Sequence, residues 1–300
     1  MAVPTLTEGQ YDLDGYKFGT LADEVVLLES GVDWGQTGMR TQDVEEPLGD
    51  GVIFGRDFLA PPSWTFTLGA RHPTDVNPVV ARLAAAWRAD AIRGVPNARS
   101  TLHYRQGGIT KVVYGRPRRF AVETPKVWNN DFRIITCDFQ LASAIVMVAA
   151  TNSLTLSLVR TSTATGLMFP VRFAATFGSS TDSRSGYVTV GGSTPTPFVL
   201  RINGPSSGSA TAFRVESVGG TDPWALDVPV SLTSGQYVEI DTSTGVVLMN
   251  GSPASLQLGR DTNLAARLSP GTQEIVFTAN DPSQSAAAVL TWRDAAASAT

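Results

Sequence analysis

"SLTSGQYVEIDTSTGVVLMNG", residues 231–251, alternates apolar and polar side chains on either side of a short break. In YVEID, Val238 and Ile240 share one face, and Tyr237, Glu239 and Asp241 share the other. In GVVLMN, Val246 and Leu248 oppose Val247 and Met249. A period of two is that of a strand with one face buried. In the break, the Asp241 side chain can bond the backbone just beyond it, and Gly245 tolerates a positive φ. The spacing predicts a hairpin. LSPGTQEIVF (268–277) predicts a third strand introduced by a Pro-Gly turn. None of these strands carries a catalytic motif.

The surrounding C-terminal half reads the same way. GYVTVGGS, PFVLRINGP, TAFRVESVGG, WALDVPVSLTSG, ASLQLGRD and AAVLTWRD are further short strands, with Gly, Pro, Asn, Asp and Ser between them. Strands at this spacing predict a two-sheet sandwich. The tail DAAASAT offers nothing to pack and is expected to fray. The Ser/Thr-rich TNSLTLSLVRTSTATG is either a strand or an interdomain connection, so a boundary is expected within 147–170. The predicted domains are 1–150 and 151–300.

Before that boundary, SWTFTLGAR (63–71) alternates with a period of two, and 24–34, 100–106, 111–124 and 132–146 are rich in β-branched and aromatic residues. Gly107-Gly108 predicts a hairpin. Over 74–94 the period changes to that of a helix. Val76, Val80, Leu83, Trp87 and Ala91 form the apolar stripe, Thr74 or Asp75 caps, Pro78 lies in the first turn and Gly94 stops it. The expected fold class is mainly β: a sheet assembly with one flanking helix, then a β-sandwich.

Composition excludes several functions. The net charge is −4, without the basic excess of a sequence-independent nucleic-acid binder. The N-terminus lacks a basic region followed by an apolar core, and no run approaches 18 apolar residues, so neither a secretory signal nor a membrane span is expected. The one cysteine, Cys137, sits in the apolar run FRIITCDFQLA and is expected to be buried and inert.

Candidate chemistry is sparse. Asp12, Asp14 and Gly15 hint at a calcium loop, but Phe18, Gly19 and Thr20 are poor ligands where more oxygens are needed, so a turn is expected. His72 and His103 lack partners at ligand spacing, there is no G-x-S-x-G, and both are read as surface or strand-end residues. GRPRR (115–119) is a small basic cluster, read as a solvated loop or strand end, with a salt-bridge role at an interface as the alternative. Glu45, Glu46, Glu216, Asp222, Asp227, Glu239 and Asp241 cannot be paired from sequence into a glycosidase couple. Gly191-Gly192 and Gly219-Gly220 are turns. No catalytic, cofactor-binding or metal-binding residue is expected, and no cofactor.

VLRINGP (199–205), WALDVPVSLTSGQYVEIDTSTGVVLMNG (224–251), LSPGTQEIVFTAND (268–281) and AAVLTWRDA (287–295), in that order, resemble the C-terminal domain of siphophage distal tail proteins, also called minor tail proteins. Gln273 stands where that family usually has Asn. TGMRTQDVEEPLGDGVIFGRDFLAPPSWTFTL (37–68), followed by the helix, resembles the family's N-terminal half. The resemblance implies a tail-tube-like ring-forming domain over 1–150 and an outward galectin-like sandwich over 151–300. It implies a homohexameric ring at the distal end of the virion tail, made in the host cytoplasm. The expected partners are the tail tube protein, tail-tip and receptor-binding or fibre proteins, and the tape measure protein, with DNA passing through the lumen unbound and no membrane involved. The galectin sugar motifs H-x-N-P-R and W-x-x-E-x-R are absent, so Trp224 and Trp292 are read as core or rim residues. The alternatives are a module binding host-surface glycan and a cell-wall hydrolase.

Overall fold

The structure, a computed structural model, describes residues 3–46, 48–123, 131–158, 160–161, 181–182, 184–219 and 222–297. The protein is mainly β. The chain divides at Ala150 into two units, the first taking back the chain from Ala296 onward.

In the first unit, β1 (Tyr11–Leu13), β2 (Tyr16–Phe18), β3 (Val25–Asp33), β4 (Gly38–Arg40), β5 (Val44–Glu45), β6 (Val52–Ile53), β7 (Phe58–Ala60) and β8 (Ser63–Arg71) precede the helices. After α1 (Asn77–Arg88) and the single turn α2 (Asp90–Arg93) come β9 (Ser100–Gln106), β10 (Ile109–Val122), β11 (Phe132–Leu141) and β12 (Val146–Val148). Seven strands run in the order β2-β1-β9-β10-β11-β8-β3, with β12 beside β10. A parallel bridge between Gly19 and Val26 joins the two ends, with Gly19 N–H on the Val25 carbonyl (2.9 Å) and Leu27 N–H on that of Gly19 (3.0 Å). The sheet therefore closes into a barrel without a free edge at this seam.

The alternation in β8 places Trp64, Phe66, Leu68 and Ala70 in the core, where they meet Tyr11, Phe18, Tyr104 and Phe139. The rings prefer edge contacts: Trp34 on Trp64 at 4.5 Å and 88°, Tyr11 on Phe66 at 5.4 Å and 84°. Helix α1 adds Val79, Leu83 and Trp87, with Val76 at its start, to this same core. Trp87 Nε1 donates to the Asp138 carbonyl at 3.1 Å, satisfying its polar edge.

The helix departs from the expected stripe. It begins after Val76 without a side-chain cap, while Asp75 accepts from the Asn77 N–H at 3.0 Å, one position too early. It stops at Ala89, in the left-handed region (φ 47°), and not at Gly94, whose φ is −86°. The break swings Ala91 into solvent, and Val79, not Val80, takes the deeply buried place.

The second unit is a two-sheet sandwich. Its strands are β13 (Asn152–Ser157), the short pair β14 (Arg160–Thr161) and β15 (Thr181–Asp182), β16 (Ser185–Val190), β17 (Phe198–Asn203), β18 (Ser209–Val218), β19 (Ala225–Val228) and β20 (Leu232–Thr233). They continue with β21 (Tyr237–Asp241), β22 (Val246–Met249), β23 (Ser252–Pro253), β24 (Gly271–Asn280) and β25 (Ala287–Trp292). One sheet runs β13-β25-β17-β21-β22-β23, the other β16-β24-β18-β19. Inner faces carrying Leu200, Ile202, Val238, Ile240 and Leu290 from the first, and Val188, Phe213, Val215, Ile275 and Phe277 from the second, form one core.

The opening stretch is β20, β21 and β22. Val238 and Ile240 are fully buried. Asp241 Oδ1 accepts from the Ser243 N–H (2.7 Å), Oδ2 accepts from Thr244 Oγ1 (2.8 Å), and Gly245 has φ 70°. Asn250 and Gly251, both at positive φ, turn the chain again into β23. The Asn250 side chain accepts from the Tyr237 N–H at 2.9 Å, binding the second turn to the start of the first strand.

TNSLTLS is strand β13, paired to β25 from Asn152↔Trp292 to Ser157↔Ala287, whereas residues 162–170 of the expected boundary lie outside the described residues. ASLQLGRD is not a strand. It runs alongside β19 through isolated bonds, such as Gly259 N–H to the Asp227 carbonyl (3.0 Å), with Leu256 and Leu258 against the core. The tail does not fray at its start: Ala295 is buried, its carbonyl accepts from Ser193, and Asp294 accepts from Gly191 (2.9 Å). The Gly191-Gly192 turn receives it, because a Cβ at Gly192 would lie 2.0 Å from the Ala295 oxygen.

Candidate functional site: an exposed two-stranded ribbon

The charged and polar residues singled out in the sequence resolve mostly into structure. Asp12 and Asp14 belong to the β1–β2 hairpin turn. Asp12 Oδ1 accepts from the Gly15 N–H (2.7 Å) and Asp14 Oδ1 from that of Thr101 (2.9 Å). Asp14 and Gly15 both have positive φ, as a two-residue primed turn requires. Gly107 and Gly108 repeat this between β9 and β10, with both N–H groups on the Glu8 carboxylate.

His72 Nδ1 accepts from the Asp75 N–H at 3.2 Å ahead of the helix. His103 is not at a strand end. It is buried in mid-strand, opposite Asp12 on one side and Val112 on the other. Cys137 is fully buried, and desolvation, then the nearby Asp138, pushes its thiol well above the ordinary range, where it is protonated and unreactive.

Of the acids singled out in the sequence, the structure brings together Glu216 and Asp227. Glu216 and Asp227 share Arg214, at 2.8 and 3.0 Å, across the β18–β19 ladder. The Glu216 hydrogen bond, reinforced by Asp227, holds the Arg214 guanidinium above its ordinary value. Asp222 and Glu239 enter no ion pair among the described residues, and Asp241 is committed to its turn. Among the described residues no group of three His, Cys, Asp or Glu side chains could hold a metal ion. Trp224 and Trp292 are 5% and 6% exposed, and Trp224 lies 4.7 Å from the Phe198 ring, so neither presents a sugar-stacking face. Gly220 lies outside the described residues.

An open depression of about 720 Å³ is lined by Asp23, Glu24, Arg71, His72 and Asp131 among others. Its charges are largely occupied: Glu24 by Arg82, Arg71 by the carbonyl of Leu21, and Asp23 by Gln10 and Thr20.

GRPRR is neither a loop nor a strand end. It lies within β10, where Pro117 faces Phe139 and Phe120 faces Cys137, so Arg118 and Arg119 together oppose Asp138 in a β-bulge. Pro117 lacks an N–H for the ladder, and a bulge is where a strand accommodates that. Arg116 is drawn onto the carbonyls of Ala98 (2.7 Å) and Val95 (2.5 Å). Arg118 and Arg119 are exposed and enter no ion pair among the described residues.

The feature that sequence reading missed lies between β3 and β8. There β4 pairs β7 (Met39↔Leu59, Arg40↔Phe58) and β5 pairs β6 (Val44↔Ile53, Glu45↔Val52). The result is a two-stranded ribbon over 38–60 whose ladder is its own. Met39, Val44, Val52, Ile53, Phe54 and Leu59 are each at least half exposed, and Phe54 is 84% exposed. An isolated two-stranded ribbon is marginal in water, and one with this much open apolar surface is built to be covered. Its two basic residues lie at one end, where Asp57 stands between Arg56 and Phe58. At the root, Arg40 and Arg56 lie over the Phe58 ring, at 5.3 and 6.0 Å. Beyond them, residues 41–55 carry Asp43, Glu45, Glu46 and Asp50 and no Lys or Arg. The available signal was that acid run amid apolar residues which fit neither periodicity.

The sequence matches no known family profile and no curated protein. The fold does have solved counterparts. The Dit protein of phage SPP1, described as a paradigm of the hub adsorption apparatus in phages infecting Gram-positive bacteria, is 12% identical. The match covers 95% of this chain and 98% of that one, at a TM-score of 0.59. Chains of the phage P2 baseplate in its activated conformation match over the same shares: with Ca at 12% identity and a TM-score of 0.53, with Sr at 11% and 0.52. The two-unit, mainly β fold is thus that of phage baseplate hub structures.

Proposed function

We propose that the chain is a structural hub protein of a long-tailed phage, located at the distal end of the tail. On this reading the first unit is a tail-tube-like, ring-forming domain, and six copies make a ring continuous with the tail tube. The second unit is a galectin-like sandwich that mounts tail-tip, receptor-binding or fibre proteins. The tape measure protein ends at the hub, and DNA crosses the lumen without being held. The role is architectural, not enzymatic.

The observation that carries the reading is the fold likeness, which spans both units and nearly the full length of both chains. The exposed ribbon supports self-association independently, because its apolar residues need a cover that the described residues do not supply. Rings arise from head-to-tail contacts between two different surfaces of one chain.

Light scattering with negative-stain imaging of the purified chain, alone and with its tail tube protein, tests this. A ring of six, or ring formation on the tube protein, is the expected outcome. A monomer that also ignores the tube protein would sink the reading.

A further inference from the structure

The ribbon is one half of a contact, and the same barrel carries a surface matching it. The β-bulge at Arg118 and Arg119 projects two guanidinium groups that no carboxylate of the described residues neutralises. Val122, 43% exposed, lies just beyond them on β10. This patch is basic, with one exposed apolar residue near it, whereas the outer half of the ribbon is acidic and apolar. We propose that the acidic outer half of the ribbon (Glu45, Glu46) of one copy docks on the Arg118–Arg119 bulge of the next. The inference rests on the self-assembly reading above and names the two surfaces that meet.

The placement supports a contact between copies. β10 is two strands from β8, across β11, and the bulge is level with Thr65 because both face Asp138. The ribbon enters β8 at Ser63, so bulge and ribbon root are about 10 Å apart at strand spacing. The ribbon itself is on the order of 30 Å long at about 3.3 Å per residue, so its acidic end lies far from its own root. Two different, complementary patches on one chain give head-to-tail contacts, which propagate and close by rotation, and not a symmetric dimer. Opposite charges also set register and partner choice.

The test uses the full chain with two charge reversals at exposed positions, Glu45→Lys/Glu46→Lys and Arg118→Glu/Arg119→Glu. Circular dichroism melts check that both variants remain folded. Each variant alone should associate at least about tenfold more weakly than the parent, since like charges now meet. Mixed one to one, they should assemble again, in rings where the two variants alternate. A third variant, with residues 41–57 replaced by a short turn, separates this proposal from the broader reading. If that variant is monomeric while Arg118→Glu/Arg119→Glu assembles like the parent, the ribbon docks elsewhere and the proposal is overturned, with the ring reading intact. Failure of the mixture to recover assembly would overturn it equally. A parent chain monomeric at all concentrations removes both.

Discussion

Tyr11 shows how a single buried group couples the barrel to pH. It stacks between Phe18 (5.4 Å) and Tyr104 (5.8 Å), and burial pushes its hydroxyl pKa up from 10 to about 12. Tyr104 shifts upward too, first through burial and then through Tyr11. The folded state thus holds these protons more tightly than the unfolded chain. The stabilisation is complete below pH 10 and is lost as pH rises through about 12. Urea titrations should therefore show the Tyr11 contribution falling by roughly 2–3 kcal/mol across that window, with Tyr104 adding to the loss at higher pH. Tyr11→Phe should reduce the fall, and adding Tyr104→Phe should reduce it further, leaving the part owed to the buried Cys137 thiol. Asp281 acts at the acid end. Burial opposes its charge, but hydrogen bonds from Ser283 Oγ and the N–H groups of Ala286, Ser285 and Ser283 outweigh this and hold its carboxyl below the usual range.

At the scale of elements, the α1–α2 break is where local preference and tertiary need disagree. A left-handed alanine is strained by about 1–2 kcal/mol because its Cβ approaches the following carbonyl. Ala89 accepts that conformation where Gly94 offered an easier stop. Stopping there leaves Val79, Leu83 and Trp87 facing the barrel core. Ala89→Gly should accordingly raise stability by about 1 kcal/mol, read as a higher urea midpoint with an unchanged slope. A loss would mean that the break is held by contacts of the Ala89 methyl group. The hairpins were far more legible. Asp12 to Gly15 and Asp241 to Gly245 are short-range devices whose bonds close within four residues, and Gly107-Gly108 supplies positive φ on its own. Local sequence suffices where the determining contacts are local.

For the whole molecule, the hub reading makes a claim about charge. A passage for DNA must not retain it, and the chain carries −4 overall with only three lysines. The ring should therefore leave duplex DNA unretarded in mobility shifts at low salt, and its lumen should be lined by neutral or acidic groups. Retardation by the assembled ring, lost on raising salt, would mean a basic channel and contradict the claim. Several arginines are committed elsewhere: Arg82 to Glu24, Arg214 to Glu216 and Asp227, Arg116 to backbone carbonyls.

The β-rich halves, the strand alternation and most turns were determined by the sequence alone, because side-chain period and glycine placement act over a few residues. So was the buried state of Cys137, enclosed in an apolar strand. Tertiary structure decided the rest. Closure of the barrel depends on Gly19 meeting Val26, and the burial of His103 on the strands at either side of it. ASLQLGRD alternates like a strand but finds no ladder, since pairing needs a partner that periodicity cannot supply. The ribbon over 38–60 became visible only when its apolar residues were seen to stay open to solvent among the described residues. Whether a run of mixed acidic and apolar residues is covered is decided by residues distant in sequence.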